Sequence, residues 1–198
     1  MTTIIGLAGP GGVGKSTTSK AISKLLKDDG YTVTSSAFAE PLYEVTSLIT
    51  GIPVEKLKSQ DYKETPWTDN NAPIPCLSEW TPRKLLQIIG TECFRENINY
   101  DFWIQLAISR VKNYDFAIFE DARFVNEYEK CHVVYELARP GVEYKMNHPS
   151  AMPPDKKYIN SIIELTPNLD FSPWVQDIIH YRKYGYGLEC LQVNKNKV

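Results

Sequence analysis

The first hydrophobic positions of the chain, Thr3 to Ala8, run together with almost no polar alternation, the pattern of a strand covered on both faces. A glycine-rich stretch follows, and then Ala21, Ile22, Leu25 and Leu26 recur at helical spacing up to Gly30, which predicts a helix closed by a glycine cap. Tyr31 to Phe38 reads as a second strand, Pro41 to Thr50 as a helix stopped by Gly51, and Pro53 to Lys58 as a further turn or helix. From Ser59 to Trp80 periodicity fades in favour of proline, asparagine and charge, which predicts a long irregular segment. Thr81-Pro82 then offers an N-cap hydroxyl and a proline at the first helical position, opening a helix that carries Leu85, Leu86, Ile88 and Ile89 inward to about Glu96. A helix from Asp101 buries Phe102, Trp103, Leu106 and Val111. Phe116 to Phe119 and His132 to Leu137 read as buried strands, Ile162 to Leu165 as a last strand, and Ser172-Pro173 starts a closing helix to about Tyr184. This order predicts an α/β domain with a mainly parallel sheet and helices on both faces.

Composition narrows the class. The 198 residues suit one well-buried core, and the net charge of −2 disfavours a general polyanion binder, so no stable nucleic-acid binding is expected. Four scattered cysteines and three separated histidines show no zinc spacing, and no apolar stretch approaches the roughly 18 residues of a membrane span. Together these predict a reduced, cytoplasmic protein with no membrane attachment.

The glycine stretch changes the picture most. Gly9 to Ser16, GPGGVGKS, satisfies G-x-x-x-x-G-K-[ST] between a buried strand and an amphipathic helix, the context in which backbone N–H groups cradle phosphates. Gly11, Gly12, Val13, Gly14, Lys15, Ser16 and Thr17 form the expected ATP-binding set, with Lys15 on the β- and γ-phosphates and Ser16 ligating Mg²⁺. A guanine-reading N-K-x-D is missing, since Asn194-Lys195-Asn196-Lys197 lacks the aspartate, which argues against a regulatory GTPase. Glu120 and Asp121 close a buried strand where open sheets place their ligands, and either carboxylate suits Mg²⁺; Asp121 is taken here with Ser16 as the metal pair. Phosphoryl transfer between polyanions needs fixed cations, and Arg83, Arg95, Arg123 and Arg139 all fall near loops or strand ends. Arg83 and Gln87 share one helix face, a phosphate clamp beside an amide. No histidine has a general base's position, which favours an acceptor that is already a phosphate.

Several stretches together extend this. The phosphate loop, Phe38-Ala39-Glu40-Pro41-Leu42, Lys63-Glu64, Thr81-Pro82-Arg83-Lys84-Leu85-Leu86-Gln87 with Gly90-Thr91-Glu92, Trp103, and Asp121-Ala122-Arg123-Phe124 with Asn126-Glu127 occur in this order. The combination resembles the deoxynucleoside monophosphate kinases of tailed bacteriophages. The resemblance implies a P-loop kinase fold over residues 1–198, with a monophosphate-binding insertion around 41–112 and a lid around 139–157. It implies ATP and Mg²⁺ as cofactors, a deoxynucleoside monophosphate as substrate, host-cell cytoplasm as location, and leaves a homodimer open. By position, Arg83 would grip the acceptor phosphate with Arg95 nearby, Phe38 and Gln87 would face its base or sugar, and Asp121, Arg123 and Arg139 would border the reaction centre. An aromatic wall against a ribose 2′-hydroxyl has four candidates, Tyr43, Tyr62, Trp67 and Trp103. After Arg139 the text departs from the family: His148-Pro149-Ser150-Ala151-Met152 lacks the glutamate expected after histidine and serine. Two rivals remain at this stage, a P-loop kinase acting on a hydroxyl and a nucleic-acid-associated ATPase supported only by Arg182-Lys183 and the terminal lysines.

Overall fold

The computed structural model describes residues 1–144, 152–185 and 187. β1 (Thr3–Ala8) is buried at every position, as its unbroken apolar text predicts. Parallel neighbours enclose it: β3 (Phe116–Phe119) sets Phe119 beside Gly6, and β4 (Val133–Ala138) sets Glu136 beside Ala8. β2 (Val33–Ser36) and β5 (Ser161–Glu164) take the edges, so the sheet runs β2-β3-β1-β4-β5 with every pair parallel.

Two helices cover one face. α1 (Lys15–Asp28) and α8 (Ser172–Tyr184) send Ile22, Leu26, Val175 and Ile178 into one buried cluster with Ile5, Leu7 and Tyr135. Successive strand residues point to opposite faces, so Gly6 looks the other way from Ile5 and Leu7. There a Cβ on Gly6 would stand 2.8 Å from Cys131 Sγ and 3.4 Å from Ala122 Cβ, and only glycine admits that packing. Ala122 and Cys131 flank α7 (Val125–Tyr128), a four-residue helix too short for periodicity to reveal. α8 is fixed to the sheet side by polar contacts: Tyr135 Oη donates to Asp177 Oδ2 at 2.6 Å, and Arg182 Nη2 pairs with Asp115 Oδ1 at 2.6 Å while Nη1 donates to Asp115 O. His132 is likewise structural, its Nδ1 accepting from Ile4 N at 2.9 Å.

The chain divides into two compact units, Met1–Ala37 with Arg110–Val198, and Phe38–Ser109. The second is helical. α2 (Glu40–Thr50) ends at Gly51, α3 (Val54–Lys58) and α4 (Gln60–Glu64) follow, and α5 (Pro82–Gln87) starts with the Thr81 hydroxyl accepting from Lys84 N at 3.1 Å. Two expectations are corrected here. Ser59 to Trp80 is not an irregular loop: it contains α4 and a 3₁₀ turn at Pro75–Leu77, it buries Trp67 and Leu77, and it is tied by Trp67 N to Trp80 O at 2.9 Å and Glu79 N to Trp67 O at 2.8 Å. The helix after Thr81 does not stay α-helical to Glu96 but widens at Ile88–Arg95 into π-helical turns, with Glu96 N bonding to Thr91 O. Within those turns Gly90 O accepts from Trp103 Nε1 at 2.9 Å, and a Cβ on Gly90 would meet Leu42 at 3.0 Å. α6 (Phe102–Ser109) supplies Trp103 to a core of Ile52, Leu57, Trp67, Leu77, Leu85 and Ile89. Among the described residues no helix is long and apolar enough to cross a membrane.

Candidate active site

Because all five strands are parallel, the segments leaving β1, β3 and β4 emerge at one edge of the sheet. The glycine loop leaves β1, Glu120-Asp121 leaves β3 on one side of it, and Arg139 leaves β4 on the other. That edge is the ligand position of open α/β sheets.

Local geometry explains the loop's composition. Gly9 has φ 140° and lies so close to β4 that a Cβ would stand 2.9 Å from Leu137 O. Gly14, at φ 117°, precedes α1 in a left-handed conformation that favours glycine. α1 begins at Lys15 with no side-chain cap, which leaves its first N–H groups and positive end to an anion. Ser16 and Thr17 are exposed at that end.

Lys15 Nζ folds back to donate to Gly9 O at 2.7 Å and Pro10 O at 2.9 Å. Burial, together with the positive charge of Arg123, pulls its pKa down to about 8, against the opposing pull of Asp121 and Glu120. The Ser16 hydroxyl donates to Glu120 Oε2 at 2.6 Å, so the structure pairs the loop serine with Glu120, whereas Asp121 acts on Lys15 through its charge. Among the described residues no three His, Cys, Asp or Glu side chains gather into a metal cage. Hydroxyl and carboxylate oxygens at Ser16 and Glu120 are nevertheless the hard donors that suit Mg²⁺, which takes much of its shell from phosphate and water. Arg139 is exposed, with Nη2 3.8 Å from where a Gly14 Cβ would stand, which puts its guanidinium at the loop.

Arg123 is exposed, and its backbone is fixed from behind. Glu127 Oε2 accepts from Arg123 N at 2.8 Å and Phe124 N at 3.1 Å, with Glu127 only 4% exposed. The glutamate of D-x-R-F-x-N-E therefore shapes the turn that presents Asp121 and Arg123. Sequence reading carried Glu127 only as a motif letter.

In the helical unit, Arg83 is half-buried on α5, with Gln87 exposed four residues on. Arg83 Nε and Nη2 both meet Glu64 Oε1, at 2.6 and 2.5 Å. Arg95 is half-buried at the end of the π-helical turns. Phe38 is 1% exposed and offers no free surface to a base or sugar in this structure. Trp67 and Trp103 belong to the buried cluster, and Tyr62 and Tyr43 both pack against it; Tyr62 Oη accepts from Trp67 Nε1 at 3.0 Å and Tyr43 Oη accepts from Lys63 Nζ at 3.4 Å, so all four aromatic candidates have packing roles. His148, with residues 145–151 of the lid expected at 139–157, falls outside the described residues, as do the terminal lysines. Arg182 is engaged with Asp115 and stacks over Phe116, so its charge is used within the fold.

Strand, glycine loop and uncapped helix at the edge of a five-stranded parallel sheet flanked by helices define an α/β fold of the P-loop kinase kind. No protein-family model matches the chain. It is 25% identical to a deoxynucleoside-5′-monophosphate kinase of Escherichia phage T5, over an alignment of 219 positions that covers 80% of this chain and 88% of the relative. The resemblance read from the motifs thus has a named counterpart of the same kind.

Proposed function

We propose that the chain transfers the γ-phosphoryl group of ATP to a deoxynucleoside 5′-monophosphate. An oxygen of the acceptor's phosphate attacks the γ-phosphorus, the bond to the β–γ bridging oxygen breaks, and ADP leaves with that electron pair. The acceptor oxygen is already anionic at neutral pH, so positioned charge rather than a general base meets the chemical demand. The observation that carries the reading is the donor side: Lys15 and the Ser16–Glu120 pair at the head of α1, flanked by Asp121, Arg123 and Arg139. The named relative supports the acceptor class.

In this reading Gly11 to Thr17 hold the triphosphate, Lys15 exchanges its loop carbonyls for phosphate oxygens, and Arg123 and Arg139 offset charge on the transferring group. Ser16 with Glu120, and Asp121 beside them, would hold Mg²⁺, which supplies charge neutralisation when bound. Arg83 would contact the acceptor phosphate, with Gln87 and Arg95 on the same helical run. The test is ADP release in the presence of Mg²⁺ across deoxynucleosides, their monophosphates and the ribonucleoside monophosphates. Turnover with deoxynucleoside monophosphates that falls at least about 100-fold in Lys15→Ala is expected. Turnover confined to unphosphorylated acceptors, or hydrolysis stimulated by DNA with no acceptor dependence, overturns the proposal.

A further inference from the structure

The contact between Arg83 and Glu64 has a specific geometry. The Glu64 oxygen Oε1 takes both Nε and Nη2, the side edge of the guanidinium, and Gln60 Nε2 donates to the same oxygen at 3.1 Å from one turn earlier on α4. A planar guanidinium bound along its side edge still presents its end, Nη1 and the second N–H of Nη2, as a fork of fixed direction. Both backbones beneath the pair are anchored. α5 is capped by Thr81 and buries Leu85 and Leu86, while α4 is held through Tyr62, which accepts from the buried Trp67 and has the Lys56 ammonium 4.5 Å from its ring centre. The pair is half exposed, and exposed ion pairs contribute little to stability, so folding gives weak reason for so specific an arrangement. A long arginine that must meet an anion gains more, because a held rotamer need not be ordered again on binding.

We propose that Glu64, assisted by Gln60, is a positioning residue that holds the side edge of Arg83 so that its end edge is aimed at the acceptor phosphate. This rests on the reading of Arg83 as the acceptor contact. Arg83 draws the Glu64 carboxyl below its usual pKa, so the clamp stays charged throughout the neutral range. Glu64 touches neither nucleotide in this account and acts only through the arginine.

The test is steady-state kinetics of the full chain with ATP, Mg²⁺ and each deoxynucleoside monophosphate, for Glu64→Ala, Glu64→Gln, Arg83→Ala and the double variant Glu64→Ala/Arg83→Ala. Glu64→Ala is expected to raise KM for the monophosphate about tenfold, with KM for ATP and kcat moved less than about threefold and the melting temperature unchanged. Glu64→Gln, which keeps an acceptor oxygen but loses the charge, is expected to fall between Glu64→Ala and wild type. In the Arg83→Ala background the Glu64 change is expected to add nothing, since its only route of action is gone. A Glu64→Ala variant with unchanged acceptor KM, or with a lower one because the carboxylate had been competing with phosphate, overturns the proposal. So does a full additive effect in the double variant. Wild-type protein that turns over no deoxynucleoside monophosphate overturns the functional reading beneath it, an outcome distinct from all of these.

Discussion

Lys15 is subject to opposed demands on its proton. Phosphate binding needs the ammonium, yet burial and Arg123 bring its pKa to about 8 in the nucleotide-free chain, with Asp121 and Glu120 resisting. A bound triphosphate adds negative charge and favours the ammonium again. In kcat/KM for ATP, which reports the free enzyme, a fall is therefore expected as pH rises through about 8, while kcat, which reports the complex, stays level to higher pH. The sign for folding is the reverse. Between about 8 and the ordinary lysine value the unfolded chain keeps a proton that the folded chain has shed, so this group makes the fold more stable as pH rises there. A pH series of initial rates at low and saturating ATP checks the first statement, and a kcat/KM that stays flat from pH 7 to 9.5 refutes it. Residues such as Lys15 and Ser16 are legible in sequence because their spacing is local. Glu120 and Asp121 are not separable that way, because adjacent residues leaving a strand diverge and only the exit path decides which meets Ser16. Glu64 is harder still, its partner lying 19 residues away.

Elements were legible where their ends are made locally. Gly30, Gly51 and Thr81-Pro82 mark helix boundaries with their own backbone or hydroxyl, and the structure keeps all three. The ordering of Ser59 to Trp80 was hidden because it depends on burying Trp67 and pairing its backbone with Glu79 and Trp80. The π-helical turns were hidden because the contacts that accompany them at Gly90, with Leu42 and Trp103, come from other elements. α7 shows what such a short element depends on. Its one turn of backbone is supported by the carboxylate of its own Glu127, which closes over the N–H groups of Arg123 and Phe124. Glu127→Ala strands those donors in a part-buried turn and is expected to cost about 2 kcal/mol, while also lowering kcat because Asp121 and Arg123 lose their frame. Glu127→Gln retains an acceptor oxygen and should cost less, about 1 kcal/mol. Chemical denaturation of both variants beside their rates checks this, and an alanine variant with native stability removes Glu127 from the role.

At the scale of the whole molecule, the parallel sheet was legible because β1 and β3 are continuous apolar runs with helices between them. Strand order was not, since it is decided by which strands meet side by side: β3 and β4 flank β1, although all of α1 to α6 intervenes between β1 and β3. That order is what brings the glycine loop, Glu120-Asp121 and Arg139 to one edge, so the site depends on the sheet being closed correctly on its helical face. Tyr135 and Asp177 are the polar latch there. Tyr135 is 0% exposed on β4, Asp177 is 3% exposed on α8, and their hydrogen bond of 2.6 Å crosses the buried cluster that joins sheet to helix. Tyr135→Phe keeps the ring and removes one donor from a buried carboxyl, at an expected cost of about 1–3 kcal/mol. For a chain of this length that lowers the melting temperature by about 2–4 °C per kcal/mol. Because the ring still fills its place, the glycine loop should keep its shape, and KM for ATP should stay within about twofold of wild type. Thermal unfolding and ATP kinetics on the same preparation separate the two effects. A melting point that does not move shows that the latch contributes no stability, and a weakened ATP KM shows that the loop's geometry depends on it directly.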